Sequence, residues 1–175
     1  MEAILVTGGT GNLGSHIVRR LNEAGLAVRV LTRQSKAEEE GVTYFTADLL
    51  AGAGIDVAVD GAGTIIHCAG SQKGDEIATK NLVGAAARAG RPHIVFISVV
   101  GAERIPVVGR ADRMMFSYFD MKRKAEEVVE GSGLPWTTLR ATQFYDLAFM
   151  VARALAKLPV VPLRAADSSR SRRMR

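Results

Sequence analysis

The chain has 175 residues, of which 47% are apolar and 23% charged, so we predict a soluble globular domain with a sizeable core. Its single cysteine, Cys68, excludes an internal disulfide, and no apolar run reaches the roughly 18 residues of a membrane-spanning helix. The net charge of +5 lies mostly in residues 164–175, where five arginines and one aspartate give +4. We therefore predict a domain at 1–163, a solvated, disordered tail at 164–175, and no nucleic-acid-binding domain. Without a recognisable secretory signal, we expect a cytoplasmic protein.

The predicted elements alternate between short apolar strands and helices. In chain order they are a strand at 3–7, a helix at 12–24, strands at 26–32, 42–47 and 64–69, a helix at 77–90, a strand at 93–98, a helix at 117–133 and a strand at 135–140. This alternation is typical of a parallel sheet covered by helices on both faces. Right-handed crossovers then predict a doubly wound α/β fold with the strand order 3-2-1-4-5-6.

A glycine-rich stretch, TGGTGNLG at residues 7–14, follows the first predicted strand and opens the first helix. Gly8 permits a sharp turn, Gly11 lets the backbone approach a pyrophosphate, and Gly14 lets the helix pack tightly. The helix start then offers free N–H groups and a partial positive charge to phosphates. A purely structural turn is the alternative, but the strand–turn–helix context favours dinucleotide binding.

This loop resembles that of the atypical short-chain dehydrogenase/reductase superfamily, and later segments resemble its NmrA-like NAD(P)-binding family. They are ISVVGA at 97–102, a K-x-x-x-E pattern that starts at Lys122, and SGLPWTTLRATQF at 132–144. The resemblance covers residues 1–163. It implies a Rossmann fold, a bound NADP(H), and either reduction of small molecules such as quinones or redox sensing without turnover.

The end of the second strand favours NADP(H) over NAD(H). An NAD-selective site usually places an acidic residue there to accept a hydrogen bond from the ribose 2′-hydroxyl. This chain has Arg33 instead, which could pair with a 2′-phosphate with help from Ser35 or Lys36. The alternative is that Arg33 is a solvated loop charge.

Further cofactor contacts are implied by the resemblance. Asp48 matches the family position beside the adenine, with Leu49 packing nearby, although Asp48 could also cap the next turn. The segment from Ala69 to Gly70, after the fourth strand, is expected to pass close to the cofactor. The prediction also includes three residues of the first loop and helix: Thr10, Asn12 and Leu13.

Two residues near the end of the fourth strand are predicted to be structural. Cys68 is interpreted as a small buried apolar residue rather than a reactive thiol. His67, in the same strand, is interpreted as a buried structural histidine. We predict no metal site.

Catalytic residues follow from the Tyr-x-x-x-Lys pattern of short-chain reductases, which Tyr118 and Lys122 match on one helical face. In that pattern the lysine holds the nicotinamide ribose and lowers the pKa of the tyrosine, and a serine assists, here Ser98. The alternatives are an aromatic that packs above the site for Tyr118 and a satisfied strand end for Ser98. Many members of the family lack a working tyrosine.

The C-terminal part departs from the family pattern, in which the chain continues well past the sixth strand. We expect Gln143 and Phe144 to line a substrate pocket, and the apolar segment 147–163 to form an exposed patch that promotes self-association. We expect the cofactor half of the fold to form, because its strands are all present.

Three functional readings stay open from the sequence. The first is an NADPH-dependent oxidoreductase of small electrophiles such as quinones. The second is a regulatory protein that binds NADP(H) without turnover, and the third is an inactive fragment that still binds dinucleotide. We favour the first.

Overall fold

The computed structural model describes residues 2–37, 39–70, 74–103 and 110–142, with backbone only for 110–117. These residues belong to the first of two units into which the chain divides, Met1–Thr142. The predictions for Gln143 and Phe144, for the apolar segment 147–163 and for the tail 164–175 lie outside the described residues and stay predictions.

Six parallel strands form a single sheet in the order β3-β2-β1-β4-β5-β6. The strands are β1 (Ala3–Thr7), β2 (Val28–Thr32), β3 (Val42–Thr46), β4 (Ala62–His67), β5 (His93–Val99) and β6 (Trp136–Ala141). The helices are α1 (Asn12–Glu23), α2 (Ile55–Val59), α3 (Asp75–Arg88) and α4 (Arg110–Glu130). The doubly wound fold and its strand order are confirmed.

The sheet has a separate apolar core on each face. Side chains alternate along a strand, so neighbours in β1 enter different cores. Leu5 packs in the core that contains Phe96 and residues of α2, α3 and α4, whereas Val6 packs with Val18 of α1 and Val30 of β2. Because both faces are covered, the inner strands are almost continuously buried, which explains why their sequences are apolar runs rather than alternating ones.

Two helices differ from the prediction. The sequence did not reveal α2, because five residues are too few to show a helical period. Helix α4 begins at Arg110, seven residues before the predicted start at residue 117. Among the described residues, no helix has the length and apolar character needed to span a bilayer.

Candidate dinucleotide-binding site

A cleft of about 320 Å³ lies at the carboxyl edge of the sheet, where the chain leaves β1 through β4. The carboxyl edge, at the point where strand order reverses, is where open α/β sheets bind ligands. Eight predicted cofactor residues line this cleft, namely Gly8, Thr10, Gly11, Arg33, Asp48, Leu49, Ala69 and Gly70. Asn12, Leu13 and Gly14 are not among its lining residues.

A larger depression of about 760 Å³ lies at the opposite edge, where Ala3, Val28 and Val42 begin their strands. It is lined by neither the glycine loop nor the first turn of α1. We assign the cofactor to the smaller cleft, because the amino edge of a parallel sheet lacks the helix N-termini that hold phosphates.

The first loop has a geometry that only glycine fits. Gly8 has a positive φ of 69°, and a Cβ there would lie 2.7 Å from the backbone nitrogen of Ala69. A Cβ on Gly14 would overlap the carbonyl oxygen of Gly8. The N–H of Gly11 donates to that same oxygen at 2.9 Å and closes the turn. Because Gly8 and Gly14 have no side chains, the loop can contact both the end of β4 and the start of α1.

Gly9 also shapes the loop, although no role was predicted for it. A Cβ at this position would lie 2.8 Å from Cγ1 of Val30 and 3.1 Å from Cγ2 of Val18. Gly9 thus allows the turn to sit directly on β2 and α1. The only sign of this role in the sequence is that the stretch holds four glycines, one more than the three of the spacing motif.

The start of α1 is suited to an anion. Gly11 is the N-cap, with no side-chain cap and no acidic residue in the first turn. Helix N–H groups without a carboxylate partner attract phosphate through hydrogen bonds and the helix dipole. With Thr10 and Gly11 at the cleft, this turn can hold a pyrophosphate.

Residues at the carboxyl ends of β2 and β3 also line the cleft. Arg33 is exposed and makes no ion pair with any residue in the described part of the chain. Oδ1 of Asp48 accepts hydrogen bonds from the backbone N–H groups of Leu50 at 2.8 Å and Ala51 at 3.2 Å. Asp48 therefore caps its own turn, and a cofactor contact for it stays a prediction. Leu50 lines the cleft with a half-exposed apolar side chain that the sequence did not single out.

A buried chain of hydrogen bonds runs beneath the loop. The N–H of Ala69 donates to Oγ1 of Thr7 at 3.4 Å, and that hydroxyl donates to Nδ1 of His67 at 2.6 Å. Nε2 of His67 lies 3.2 Å from Oγ1 of Thr79, which donates to the carbonyl of Asp75 at 2.7 Å. Because the Thr79 hydroxyl donates onward, we assign the ring proton to Nε2. The chain joins β1, β4 and α3, in agreement with a structural role for His67.

Burial keeps two groups near this chain uncharged. Burial, with a smaller contribution from Lys122, lowers the pKa of His67 from 6.5 to about 3. Burial raises the pKa of Cys68 to about 11, against a smaller opposing effect of Lys122. A thiol with so high a pKa is protonated at neutral pH. Cys68 is nevertheless half-buried and lines the cleft, rather than being buried as predicted.

Lys122 is buried in an ion pair. Its Nζ lies 3.3 Å from Oδ2 of Asp75, and the two side chains are 6% and 5% exposed. The same Nζ lies 5.2 Å from the ring centroid of Phe96, and a Cβ on Gly70 would lie 3.2 Å from it. Asp75 lines the cleft, whereas Lys122 stands behind Gly70. Asp75 could not be singled out from the sequence, because nothing in its local pattern indicates a partner 47 residues away.

The remaining predicted catalytic residues are Tyr118 and Ser98. Burial first and the Asp75 carboxylate second raise the pKa of Tyr118, the opposite of the lowering expected from the sequence. Oγ of Ser98 is buried and has no hydrogen-bond partner in the described part of the chain. The catalytic roles of both residues stay predictions.

Glu126, the acidic residue of the K-x-x-x-E pattern, does not line the cleft. It is buried and accepts hydrogen bonds from Nε of Arg140 at 3.0 Å and from Nη2 of Arg140 at 2.8 Å. Nε of Arg140 also lies 3.4 Å from Oε2 of Glu103. The pattern therefore combines a residue at the edge of the site with one that fastens α4 to β6.

The chain belongs to the NAD(P)H-binding family, whose family model matches residues 8–156. NAD(P)H binding is the function that describes this family, and the resemblance predicted from the sequence is confirmed at this level.

Two curated relatives and one solved structure indicate the range of similar proteins. The chain is 28% identical over 169 residues to the chloroplast protein TIC 62 of Pisum sativum, covering 78% of this chain and 32% of that protein. It is 30% identical over 158 residues to the NAD(P)H azoreductase of Xenophilus azovorans, covering 87% of this chain and 52% of that one. The NADPH-dependent quinone oxidoreductase QOR2 of Escherichia coli, solved with NADPH, has the same fold, with a TM-score of 0.71 and 23% identity over 87% of this chain and 53% of that one. This chain spans about a third to a half of the length of these proteins.

Proposed function

We propose that the chain binds NADP(H) and reduces small electrophilic molecules such as quinones, as a member of the NmrA-like branch of the family. The observation that carries the proposal is the glycine-only loop at the carboxyl edge, in a cleft that Arg33 at the end of β2 also lines. A quinone oxidoreductase and an azoreductase among the similar proteins support a reductase. A cytoplasmic location stays a prediction from the sequence.

Preference for NADP(H) over NAD(H) is proposed from charge. Arg33 lines the cleft and its side chain is exposed, so its guanidinium can reach a 2′-phosphate bound there. A guanidinium presents paired donors that match the oxygens of a phosphate. No carboxylate follows β2 directly to accept from a ribose 2′-hydroxyl, because Arg33 and Gln34 occupy that place.

The residues of the cleft fit a dinucleotide along its length. Arg33 would hold the adenosine phosphate, the first turn of α1 the pyrophosphate, and the backbone at Gly70 the nicotinamide half, with Lys122 behind it. The reduced nicotinamide supplies a hydride when bound. The protein's contribution is then chiefly orientation, since a quinone that accepts a hydride needs only one further proton to become the hydroquinone and can take it from water.

A non-catalytic, redox-sensing function is the second candidate. It is favoured by Tyr118, whose raised pKa makes the phenol a weaker proton donor than the lowered tyrosine pKa of the Tyr-x-x-x-Lys pattern would provide. Under this reading the chain binds NADP(H) and alters its affinity for a partner protein.

Turnover separates the two candidates. The absorbance of NADPH would be followed with a panel of quinones, using the wild-type chain, Lys122→Ala and Lys124→Ala. Lys124 is the matched control, because it lies on the same helix but is exposed and paired with Asp120. Quinone-dependent oxidation lost only in Lys122→Ala supports the reductase. Binding of NADPH without oxidation by any quinone supports the sensor.

A further inference from the structure

The Asp75–Lys122 pair is costly for the protein to bury. Moving two charges out of water costs several kcal/mol per ion, and replacing such a pair with apolar residues is often neutral or stabilising. Yet both side chains are nearly inaccessible, and they join the start of α3 to the middle of α4. A pair of this kind contributes little to stability, so a functional reason for its presence is worth testing.

The surroundings of the pair restrict where the ammonium can lie. Asp75 is the first residue of α3, where the helix dipole favours a carboxylate, and its carbonyl is held by the hydroxyl of Thr79. The ring of Phe96 is the second neighbour of the ammonium. The third is Gly70, where the lack of a side chain leaves the ammonium against the wall of the cleft.

We propose that Asp75 is a positioning residue that holds the ammonium of Lys122 against Gly70, at the nicotinamide half of the cleft. A lysine ammonium has three donors, and the carboxylate occupies one of them. The others are then aimed by Asp75 rather than left to the flexible lysine stem. The inference rests on the proposed function, since it concerns a lysine that serves a bound NADP(H).

The place of the pair gives the proposal a specific signature. Arg33 and Asp48 follow β2 and β3, whereas Gly70 follows β4 on the other side of the glycine loop. Removing the Asp75 carboxylate should therefore weaken the binding of ligands that contain the nicotinamide half. It should leave the binding of ligands with only the adenosine half nearly unchanged. A merely structural tether between α3 and α4 would affect both.

Calorimetric titration of Asp75→Asn with two ligands tests this signature. The ligands are NADPH and adenosine 2′,5′-bisphosphate, which carries the 2′-phosphate but no nicotinamide. We expect Asp75→Asn to weaken NADPH binding by at least about tenfold, as for the loss of a charge-assisted hydrogen bond, with adenosine bisphosphate affected less than about twofold. Glu76→Gln is the control, because Glu76 is the next residue of α3 but is exposed and paired with Lys80. Equal loss for both ligands, or no loss for either, overturns the inference.

A double-mutant comparison keeps the test decisive if Asp75→Asn folds poorly. In Asp75→Asn with Lys122→Met both charges are removed, so no unpaired charge is buried. We expect this double variant to bind NADPH as weakly as Lys122→Met alone, because Asp75 acts through Lys122. Additive losses overturn the inference. A wild-type chain that binds neither ligand overturns the proposed function itself, whereas wild-type binding with an unaffected Asp75→Asn overturns the inference alone.

Discussion

The two halves of the carboxyl edge are built by different means. Around β1, β2 and β3 the cleft is shaped by backbone: glycines without side chains, a helix start without a cap, and a turn closed by Asp48. Around β4, β5 and β6 the edge is instead held together by ion pairs, Lys122 with Asp75 behind the cleft wall and Glu126 with Arg140 away from the cleft. The first kind of site depends on short sequence motifs, and the second on contacts between distant residues. Four substitutions test this contrast.

The largest effect on stability is expected in the half built by side chains. Arg140→Ala leaves the buried carboxylate of Glu126 without its two hydrogen bonds, which should cost about 3 kcal/mol of unfolding free energy. Urea denaturation measures it. Adding Glu126→Gln should recover part of the loss, and Arg123→Ala, which removes an exposed pair with Glu127, should leave stability unchanged. If Arg140→Ala were as stable as the wild-type chain, the claim that buried ion pairs hold the β4–β6 side of the edge together would be contradicted.

Gly14→Ala tests the half built by backbone. The new methyl overlaps the carbonyl of Gly8, so the loop must shift, at a cost of about 2 kcal/mol in stability and a loss of NADPH affinity. The control is Gly84→Ala in α3, where a Cβ would lie 3.6 Å from the Arg88 side chain. That change should stabilise the chain by about 0.5–1 kcal/mol, as alanine usually does in a helix. Unchanged NADPH affinity in Gly14→Ala would show that the loop does not determine binding.

Lowering the pH should decrease the stability of the fold through His67, which links β4 to β1 and α3. Its pKa falls from 6.5 to about 3 on folding, so the unfolded chain binds the extra proton below pH 6.5 and stability decreases as the pH falls. Between pH 7 and pH 5 the loss attributable to this histidine is about 2 kcal/mol. Denaturation of wild type and His67→Gln at both pH values measures it, with the exposed His16→Gln as control. An equal pH dependence in all three chains would refute the assignment.

The smallest effect is expected at Tyr118. Because burial and Asp75 raise its pKa, the phenol is a weak proton donor, and Tyr118→Phe should retain quinone reduction within about threefold. Steady-state kcat with a saturating quinone measures this. A fall of about a hundredfold would instead restore the acid–base role expected from the Tyr-x-x-x-Lys pattern.

The contrast also explains what could be predicted from the sequence. The strand order follows from apolar runs alternating with helices, and the loop from glycines at fixed spacing, because both are local patterns. Asp75 and the partner of Glu126 could not be found in this way, since their contacts exist only once α3 and β6 pack against α4. Similarly, the Tyr-x-x-x-Lys spacing is visible in the sequence, but the direction in which the pKa of Tyr118 shifts is not, because it depends on burial.

The most direct test of the account is a thermal-shift titration with NADPH and, separately, NADH. A ligand at a hundred times its dissociation constant stabilises the fold by about 2.7 kcal/mol, or several degrees for a domain of this size. We predict a larger shift with NADPH than with NADH at equal concentration, and a reduction of the NADPH shift toward the NADH shift in Arg33→Ala. No shift with either ligand, or equal shifts that Arg33→Ala leaves unchanged, would contradict an NADP(H) site at this cleft.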